Sequence, residues 1–368
     1  MTALALEHGA INLSQGFPDF EGPSAIVDAA VEALRSGHNQ YPRSMGVPRL
    51  AEAIAGHQAE QYDLHYDPMR EVVVFSGATE GIASSLLGLV DPGDEVVVFE
   101  PFYDSYPACI ALAGGIPRFC TLRFPDFALD EEALAACFSD RTKLVLLNTP
   151  HNPTGKVFDR RELSVIAELC RRHEAYVVSD EVYEHLTYGV EHVPMASVPG
   201  MRERTLTLSS AGKTYSFTGW KIGWATGPEP MVAAAQAAHQ FVTFASAAPL
   251  QHAAAFALES CKGEFYAELQ GDFQRRRDFL SAVLREVGFE VASPQGTYFI
   301  LADFRKLGSG DDRAFAKQMI ASCGVAAIPP SVFYRAHPEE GARLVRFAFC
   351  KRMETLEAAA ERLGRLRT

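Results

Sequence analysis

Lys213 is the residue of this sequence best suited to nucleophilic chemistry. It follows a β-branched and apolar run at residues 204–208, a pattern typical of a buried strand. The small residues around Lys213 predict a loop in which its amine is desolvated. Because burial favours the uncharged form of an amine, a lysine in this position can act as a nucleophile. A solvated surface charge is the alternative for a lone lysine.

Three polar residues are expected to converge on Lys213. Asp180 follows a predicted apolar strand, Tyr183 lies one turn further on, and Asn152 belongs to an Asn-Pro turn. Open α/β sheets bind ligands at the carboxyl ends of their strands, where these side chains would meet. An amine, an acid, a phenol and an amide are the groups that pyridoxal 5'-phosphate (PLP) requires, with Asp180 keeping the pyridine nitrogen protonated. A helix cap is the alternative role for Asp180.

A cationic, phosphate-sized site is also indicated. Residues 76–79 join a predicted strand to a helix start, where free backbone N–H groups and the helix dipole bind phosphate. Ser210 and Lys221 would complete this site, whereas an ordinary helix cap is the alternative for residues 76–79. The Gly-Lys-Thr triplet at 212–214 does not indicate a nucleotide-binding P-loop, because Thr207 stands where that motif needs glycine.

Two further residues have side chains suited to a flat ring and to a carboxylate. Tyr103 follows a predicted strand, where an aromatic ring can stack on a flat cofactor or simply fill the core. Arg346 lies in an apolar run at 344–349 and therefore needs an anionic partner. That partner is either a substrate carboxylate, gripped through two hydrogen bonds, or a structural acid.

Composition narrows the class of protein. The chain has 368 residues, 48% hydrophobic and 22% charged, with a net charge of −12. That charge, without any basic run, disfavours nucleic acid and anionic membranes as partners. The seven scattered cysteines lack a Cys-x-x-Cys pair, which indicates reduced, cytoplasmic usage and no metal site. No secretory signal and no membrane span is predicted.

The order of predicted elements indicates an α/β fold with two domains. Apolar strands alternating with helices predict a mostly parallel sheet covered by helices on both faces. The strands are expected at 71–75, 95–99, 143–147, 175–179 and 204–208. A long helix at 264–287 leads into a smaller α+β region with strands at 288–291, 296–302 and 343–349 and a helix at 353–366. We expect a large domain at 36–255 and a small domain formed by 1–35 and 256–368, with the substrate between them.

Taken together, these segments resemble the class I/II aminotransferases, which are fold-type-I PLP-dependent enzymes. The resemblance covers nearly the whole chain, and the motifs occur in the order of the family. The likeness to the family runs from residues 11–19 to Arg346. Residues 100–106 and 346–351 look like the branch that contains kynurenine, methionine and succinyldiaminopimelate aminotransferases. The resemblance implies a homodimer that takes an amino acid and a 2-oxo acid as substrates.

The resemblance also implies a role for each site residue. Lys213 would bind PLP covalently and act as the catalytic base, while Asp180 would bind the ring nitrogen. Tyr183 and Asn152 would bind the 3-oxygen. The remaining cofactor contacts would come from Gly77, Ala78, Thr79, Tyr103, Ser210, Lys221 and, across a dimer interface, Tyr41. Arg346, Asn152 and the Gly16 backbone would bind the substrate carboxylate.

The implied reaction is amino transfer by a ping-pong mechanism. Phe17, Tyr103 and Phe244 are aromatic, and residues 245–248 are small, which favours a bulky neutral donor such as an aromatic amino acid, methionine or kynurenine. Two alternatives stay open, namely a succinyldiaminopimelate aminotransferase and a cysteine-S-conjugate β-lyase. The former needs a cation for the distal carboxylate, for which Arg43 is a candidate. A regulatory protein on the same fold is disfavoured, because the chain has no length left for a basic DNA-binding domain.

Overall fold

A computed structural model describes residues 1–367 of the chain. It contains strands β1–β12 and helices α1–α14, joined in places by short 3-10 helices. The strands are β1 Ile11–Asn12, β2 Val72–Phe75, β3 Glu95–Glu100, β4 Ile116–Thr121, β5 Thr142–Asn148, β6 Tyr176–Asp180, β7 Thr205–Ser210, β8 Gly223–Thr226, β9 Glu290–Val291, β10 Phe299–Asp303, β11 Val325–Ala326 and β12 Leu344–Ala348.

The helices cover both faces of the larger sheet and surround the smaller ones. They are α1 Thr2–Glu7, α2 Ser24–Arg35, α3 Pro48–Tyr62, α4 Ala78–Leu89, α5 Ser105–Leu112, α6 Glu131–Ala136, α7 Arg160–Arg172, α8 Ala211–Thr214, α9 Glu229–Val242, α10 Ala248–Ser260, α11 Gly263–Val287, α12 Asp312–Cys323, α13 Pro338–Gly341 and α14 Met353–Leu363. Among the described residues, none of these helices combines the length and apolar character needed to cross a bilayer.

The large sheet has seven strands in the order β2-β8-β7-β6-β5-β3-β4. Strands β4, β3, β5, β6 and β7 run parallel, whereas β8 runs antiparallel to both β7 and β2. The predicted mostly parallel α/β sheet is therefore confirmed. The predictions missed β4 and β8, because Pro117 and Arg118 interrupt the first and a Gly-Trp pair opens the second.

Successive side chains of a strand point to opposite faces, so the large sheet has an apolar core on each face. Val97 and Phe99 of β3 pack with Leu163 of α7 on one face. Val96 and Val98 pack on the other face, in a cluster with α4 and α9. Both faces of β3 are buried, so its central residues 96–99 are all apolar rather than alternating with polar ones.

Two smaller sheets are formed mainly by the C-terminal part of the chain. One has the antiparallel order β12-β10-β9, and the other pairs β1 with β11 in parallel. Leu13 packs with Tyr298 and Phe349 in the core beside these sheets, whereas Ile26 of α2 packs with Ala254 of α10. The N-terminal segment thus contacts both the small-sheet core and the helices of the large sheet.

Candidate active site

A cavity of about 690 Å³ opens at the carboxyl ends of β5, β6 and β7. Ten of the predicted site residues line it: Gly77, Ala78, Thr79, Tyr103, Asn152, Asp180, Tyr183, Ser210, Lys213 and Lys221. Parallel strands end at the same edge of a sheet, which explains how residues so distant in sequence meet there. Gly16, Arg346 and Tyr41 do not line this cavity.

Lys213 lies in α8, a single helical turn that begins directly after β7, and not in the predicted loop. Its Nζ donates a hydrogen bond of 2.8 Å to the hydroxyl of Tyr298. That hydroxyl in turn donates one of 2.6 Å to the backbone oxygen of Gly16. Burial lowers the pKa of Lys213 to about 8, so its amine loses its proton much more readily than that of an exposed lysine.

Asp180 is the last residue of β6 and is buried beneath the cavity. Its Oδ2 accepts a hydrogen bond of 2.7 Å from the Tyr106 hydroxyl. Burial raises the pKa of Asp180 to about 6, although the hydrogen bond from Tyr106 acts in the opposite direction. An acid held in this state binds a protonated ring nitrogen well, because a cation relieves the cost of the buried charge.

Gly77, at the start of α4, and Lys221 form a cradle at one end of the cavity. Lys221 adopts a left-handed backbone conformation with φ 56°. A Cβ added to Gly77 would lie 3.0 Å from Lys221 Nζ, and one added to Gly223 would lie 2.5 Å from the Ala78 nitrogen. The backbone approach at Gly223 leaves no room for a side chain, and Gly77 has a positive φ of 82° that favours glycine. The ammonium of Lys221 thus lies beside the amino end of a 12-residue helix, an arrangement that fits a phosphate group.

Arg346 lies in β12 and is connected to the cavity through Asn152. Its Nη1 donates a hydrogen bond of 3.1 Å to Asn152 Oδ1. The guanidinium lies between the rings of Phe299 and Phe333, at 4.1 and 5.0 Å from their centroids. Burial lowers the pKa of Arg346 to about 10, and within the described residues its buried Nε has no hydrogen-bond partner. A buried cation without an acidic partner is suited to bind a carboxylate.

Tyr103 and Tyr183 provide aromatic walls. The Tyr103 hydroxyl lies 3.4 Å from Thr79 Oγ1, and its ring meets that of Tyr106 edge to face. Tyr183 is buried, which raises the pKa of its hydroxyl, and Lys213 Nζ lies 5.6 Å from the centroid of its ring. Tyr103 thus presents a ring beside the phosphate-sized cradle, and Tyr183 presents one beside the amine.

Tyr41 lies on the surface, away from the cavity of its own chain. Its side chain is 86% exposed and meets the ring of Phe244 edge to face, with the centroids 5.4 Å apart. Residues 39–42 and 245–249 line a second, surface cavity of about 890 Å³. The small residues that were expected near the substrate therefore lie beside Tyr41 in this structure.

Sequence reasoning missed three residues that support the site. Tyr106 binds Asp180, Tyr298 binds Lys213, and Asn148 donates through Nδ2 to the Asp180 backbone oxygen at 2.7 Å. Asn148 Oδ1 also accepts from the backbone nitrogen of Asn152 at 2.7 Å. A signal existed for Tyr106, three residues after Tyr103, and for Asn148, at the end of a strand. Nothing local distinguishes Tyr298 from a core aromatic.

Several known proteins that resemble this chain in sequence are named as aminotransferases or transaminases. The probable N-succinyldiaminopimelate aminotransferase DapC of Mycobacterium tuberculosis is 45% identical over 99% of this chain and 94% of its own length. The methionine aminotransferase of Escherichia coli K12 is 42% identical over 100% of this chain and 94% of its own length. The kynurenine–oxoglutarate transaminase of Dictyostelium discoideum is 39% identical over 99% of this chain and 92% of its own length.

The fold agrees with these similarities in sequence. A solved structure of the M. tuberculosis N-succinyldiaminopimelate aminotransferase superposes with a TM-score of 0.96 at 45% identity, over 100% of this chain and 96% of the other. Residues 8–363 match the family described as aminotransferase class I and II. The predicted fold-type-I architecture and amino-transfer activity are confirmed, and the chain belongs to the class I and II aminotransferase family.

Proposed function

We propose that this aminotransferase uses PLP bound in the cavity to move the amino group of a bulky neutral L-amino acid to a 2-oxo acid by a ping-pong mechanism. The observation that carries the proposal is the convergence of Lys213, Asp180 and the Gly77–Lys221 cradle at one cavity. The class I and II family is PLP-dependent in general. When bound, PLP stabilises the negative charge that develops at the substrate α-carbon.

The residues around the cavity fit PLP in shape and charge. Gly77, Ala78, Thr79, Ser210 and Lys221 would hold the phosphate group. Asp180 would keep a proton on the ring nitrogen, with Tyr106 orienting its carboxylate. The 3-oxygen would be bound by Tyr183 and Asn152, and Tyr103 would stack on the ring.

Lys213 is the proposed catalytic residue. It would bind the cofactor covalently, and its free amine would then carry the proton to and from the substrate α-carbon. Its pKa of about 8 suits this task, because a general base works best when its pKa lies near the working pH. Arg346, with Asn152 and the Gly16 backbone, would bind the α-carboxylate and orient the substrate.

The nature of the donor is inferred from the charges around the cavity. Lys213 and Lys221 are the basic residues among those that line it, and both have roles toward the cofactor. Arg43, the candidate for a distal carboxylate, is exposed and its Nη1 lies 3.2 Å from Met69 Sδ. A neutral donor therefore fits better than aspartate. The 45% identity to the M. tuberculosis relative favours succinyldiaminopimelate as the second candidate.

A donor panel tests the proposed function directly. We expect the purified protein with PLP to give higher kcat/KM values for methionine, phenylalanine and kynurenine than for aspartate, with succinyldiaminopimelate as the comparison. Discrimination by an apolar pocket amounts to about 1–3 kcal/mol per group, so several donors should react. A preference for aspartate, or for succinyldiaminopimelate by orders of magnitude, would reject the neutral pocket.

Two controls separate chemistry from specificity. Borohydride should fix the cofactor on Lys213, as mass spectrometry of peptides would reveal, and Lys213→Ala should transfer no amino group. Incubation with a cysteine S-conjugate but no oxo acid tests the β-lyase alternative, which would release pyruvate and ammonia.

We also propose a homodimer in the cytoplasm, with Tyr41 of each chain reaching the phosphate site of the other. The exposure of Tyr41, together with the 90% exposed Phe241 and the 39% exposed Phe244, supports an interface on this surface. The seven free cysteines support a reducing compartment. In the same proposal, the chain divides into a large domain, residues 36–255, and a small domain formed by residues 1–35 and 256–368.

A further inference from the structure

A cluster of two histidines and a glutamate lies behind the carboxyl ends of β6 and β7, separate from the proposed PLP cavity. Successive side chains of an extended chain point to opposite sides. Ser210 lines the cavity, whereas the preceding residue, Ser209, donates a hydrogen bond of 2.5 Å to Glu184 Oε1. His57 of α3 and His185 complete the cluster, and all three members are buried.

The distances within this cluster match those of a metal site. The Nε2 atoms of His57 and His185 are 3.3 Å apart. Glu184 Oε2 lies 3.5 Å from His57 Nε2 and 4.0 Å from His185 Nε2. The centre of the triangle formed by the two Nε2 atoms and Glu184 Oε2 lies about 2.1 Å from each of them. Zinc binds imidazole nitrogen and carboxylate oxygen at about 2.0–2.2 Å, so a zinc ion would fit at this point.

The cluster is held in place by its neighbours. Glu184 Oε2 accepts a hydrogen bond of 2.7 Å from the Tyr62 hydroxyl, so each carboxylate oxygen has one donor and retains a lone pair. The His185 ring stacks on Tyr266, with centroids 3.8 Å apart and planes 2° from parallel. Supporting contacts of this kind fix the orientation of metal ligands and strengthen binding.

We propose that His57, Glu184 and His185 bind one divalent transition-metal cation of the zinc type. Two imidazoles and one carboxylate suit zinc, whereas calcium and magnesium prefer all-oxygen sites. Tetrahedral coordination would need the His185–Glu184 separation to shorten by about half an ångström, toward the ligand spacing of about 3.4 Å that zinc imposes. The bound cation would link α3 to the turn that follows β6, the strand that ends at Asp180.

Tyr62 both lines a surface cavity and contacts the cluster. A surface cavity of about 770 Å³ is lined by Tyr62, His192 and the end of α3. Tyr62 separates this cavity from Glu184, to which its hydroxyl is bonded. A rotation of the Tyr62 ring would therefore give a cation access to the cluster.

Zinc binding to the PLP-loaded enzyme tests this inference. We expect one equivalent of zinc per chain after treatment with chelator and titration with zinc chloride, measured by competition with a chromophoric chelator. His57→Gln should weaken zinc binding at least about 100-fold, because it removes one of three ligands. The melting temperature should rise with zinc in the wild type and not in the variant. Failure of zinc to bind at one equivalent per chain would overturn the proposal and would leave the proposed transamination unaffected.

A matched control uses a second close pair of imidazoles. The ring centroids of His38 and His252 lie 3.9 Å apart, in a surface cavity that contains no member of the cluster. His38→Gln should therefore leave zinc affinity unchanged. Equal loss of affinity in His38→Gln and His57→Gln would contradict the assignment. If His57→Gln does not fold, X-ray absorption of the zinc-loaded wild type decides, since the site requires two imidazoles and no sulfur. The proposal would be overturned if zinc were bound by thiolates. It would also be overturned if His57 and His185 shared a proton and bound no zinc.

Discussion

The hydroxyl of Tyr106 donates a hydrogen bond to Asp180, and both side chains are almost completely buried. A hydrogen bond to a charged group stabilises it by about 1.5–3 kcal/mol. In this position the bond keeps the Asp180 carboxylate ionised despite its burial, and it fixes the direction of Oδ2. Tyr106 is therefore a positioning residue for the acid that would bind the ring nitrogen.

Tyr106→Phe should raise the pKa of Asp180 further and slow the transamination half-reaction by about tenfold or more. Stopped-flow absorbance of the cofactor would measure that rate. Tyr103→Phe is the matched control, because the Tyr103 hydroxyl has only a 3.4 Å contact with Thr79. An equal effect of the two substitutions would argue against a specific role for Tyr106.

Tyr298→Phe should disorder the amine of Lys213 and slow proton transfer, while affinity for the phosphate of PLP is retained. The physical reason is the loss of the bond that links Lys213 to the Gly16 segment. Half-reaction rates and equilibrium dialysis of PLP would separate the two effects. Tyr188→Phe removes another buried hydroxyl, bonded to the Thr297 backbone oxygen, and should leave the half-reaction rate nearly unchanged. A loss of PLP affinity that matches the loss of rate would contradict the positioning role.

In the cofactor-free protein, the contribution of Lys213 to the free energy of unfolding should rise as pH rises from about 8 to about 10.5. The pKa of Lys213 is lowered to about 8 in the folded state, from 10.5, so the unfolded chain binds more protons in this window. The gain from this residue is about 3 kcal/mol, complete above pH 10.5 and absent below pH 8. Urea unfolding of wild type and Lys213→Met at several pH values would measure it. Identical pH slopes for the two proteins would be inconsistent with this linkage.

Glu100→Gln should raise KM for the amino acid more than it lowers kcat. The buried Glu100 carboxylate accepts hydrogen bonds of 2.6, 3.0 and 3.0 Å from the backbone nitrogens of residues 335–337, next to Phe333, whose ring contacts Arg346. An amide can accept at only one of its two polar atoms, so the segment loosens at a cost of about 1–3 kcal/mol. Glu339→Gln, which alters an exposed acid nearby, is the control for steady-state kinetics. A fall in kcat without a change in KM would refute this role.

Tyr41→Phe should weaken PLP retention if the partner's phosphate is its target. Gel filtration at increasing dilution, followed by the cofactor absorbance of each fraction, would measure the loss. Phe244→Leu, which removes the ring that Tyr41 contacts but no hydroxyl, is the comparison. A monomeric protein that keeps PLP and full activity would exclude the shared site.

Features that depend on local sequence could be predicted, and features that depend on packing could not. The apolar runs at 143–147, 175–179 and 204–208 predicted parallel strands and a ligand-binding edge, and the observed strands end one or two residues later, at Asn148, Asp180 and Ser210. The position of β8 was not predictable, because an antiparallel strand at residues 223–226 depends on pairing with both β7 and β2. Tyr298 was missed for the same reason, since its role arises from a contact with Lys213 that lies far away in sequence.

The cradle between Gly77 and Lys221 joins two parts of the chain that meet only when the sheet is complete, since one follows β2 and the other precedes β8. An unfolded or partly folded chain therefore has no phosphate site to offer. Any anion that binds there binds the native state alone, and mass action shifts the folding equilibrium toward that state. With PLP as the proposed anion, cofactor supply would determine how long the protein survives proteolysis, as well as how fast it works.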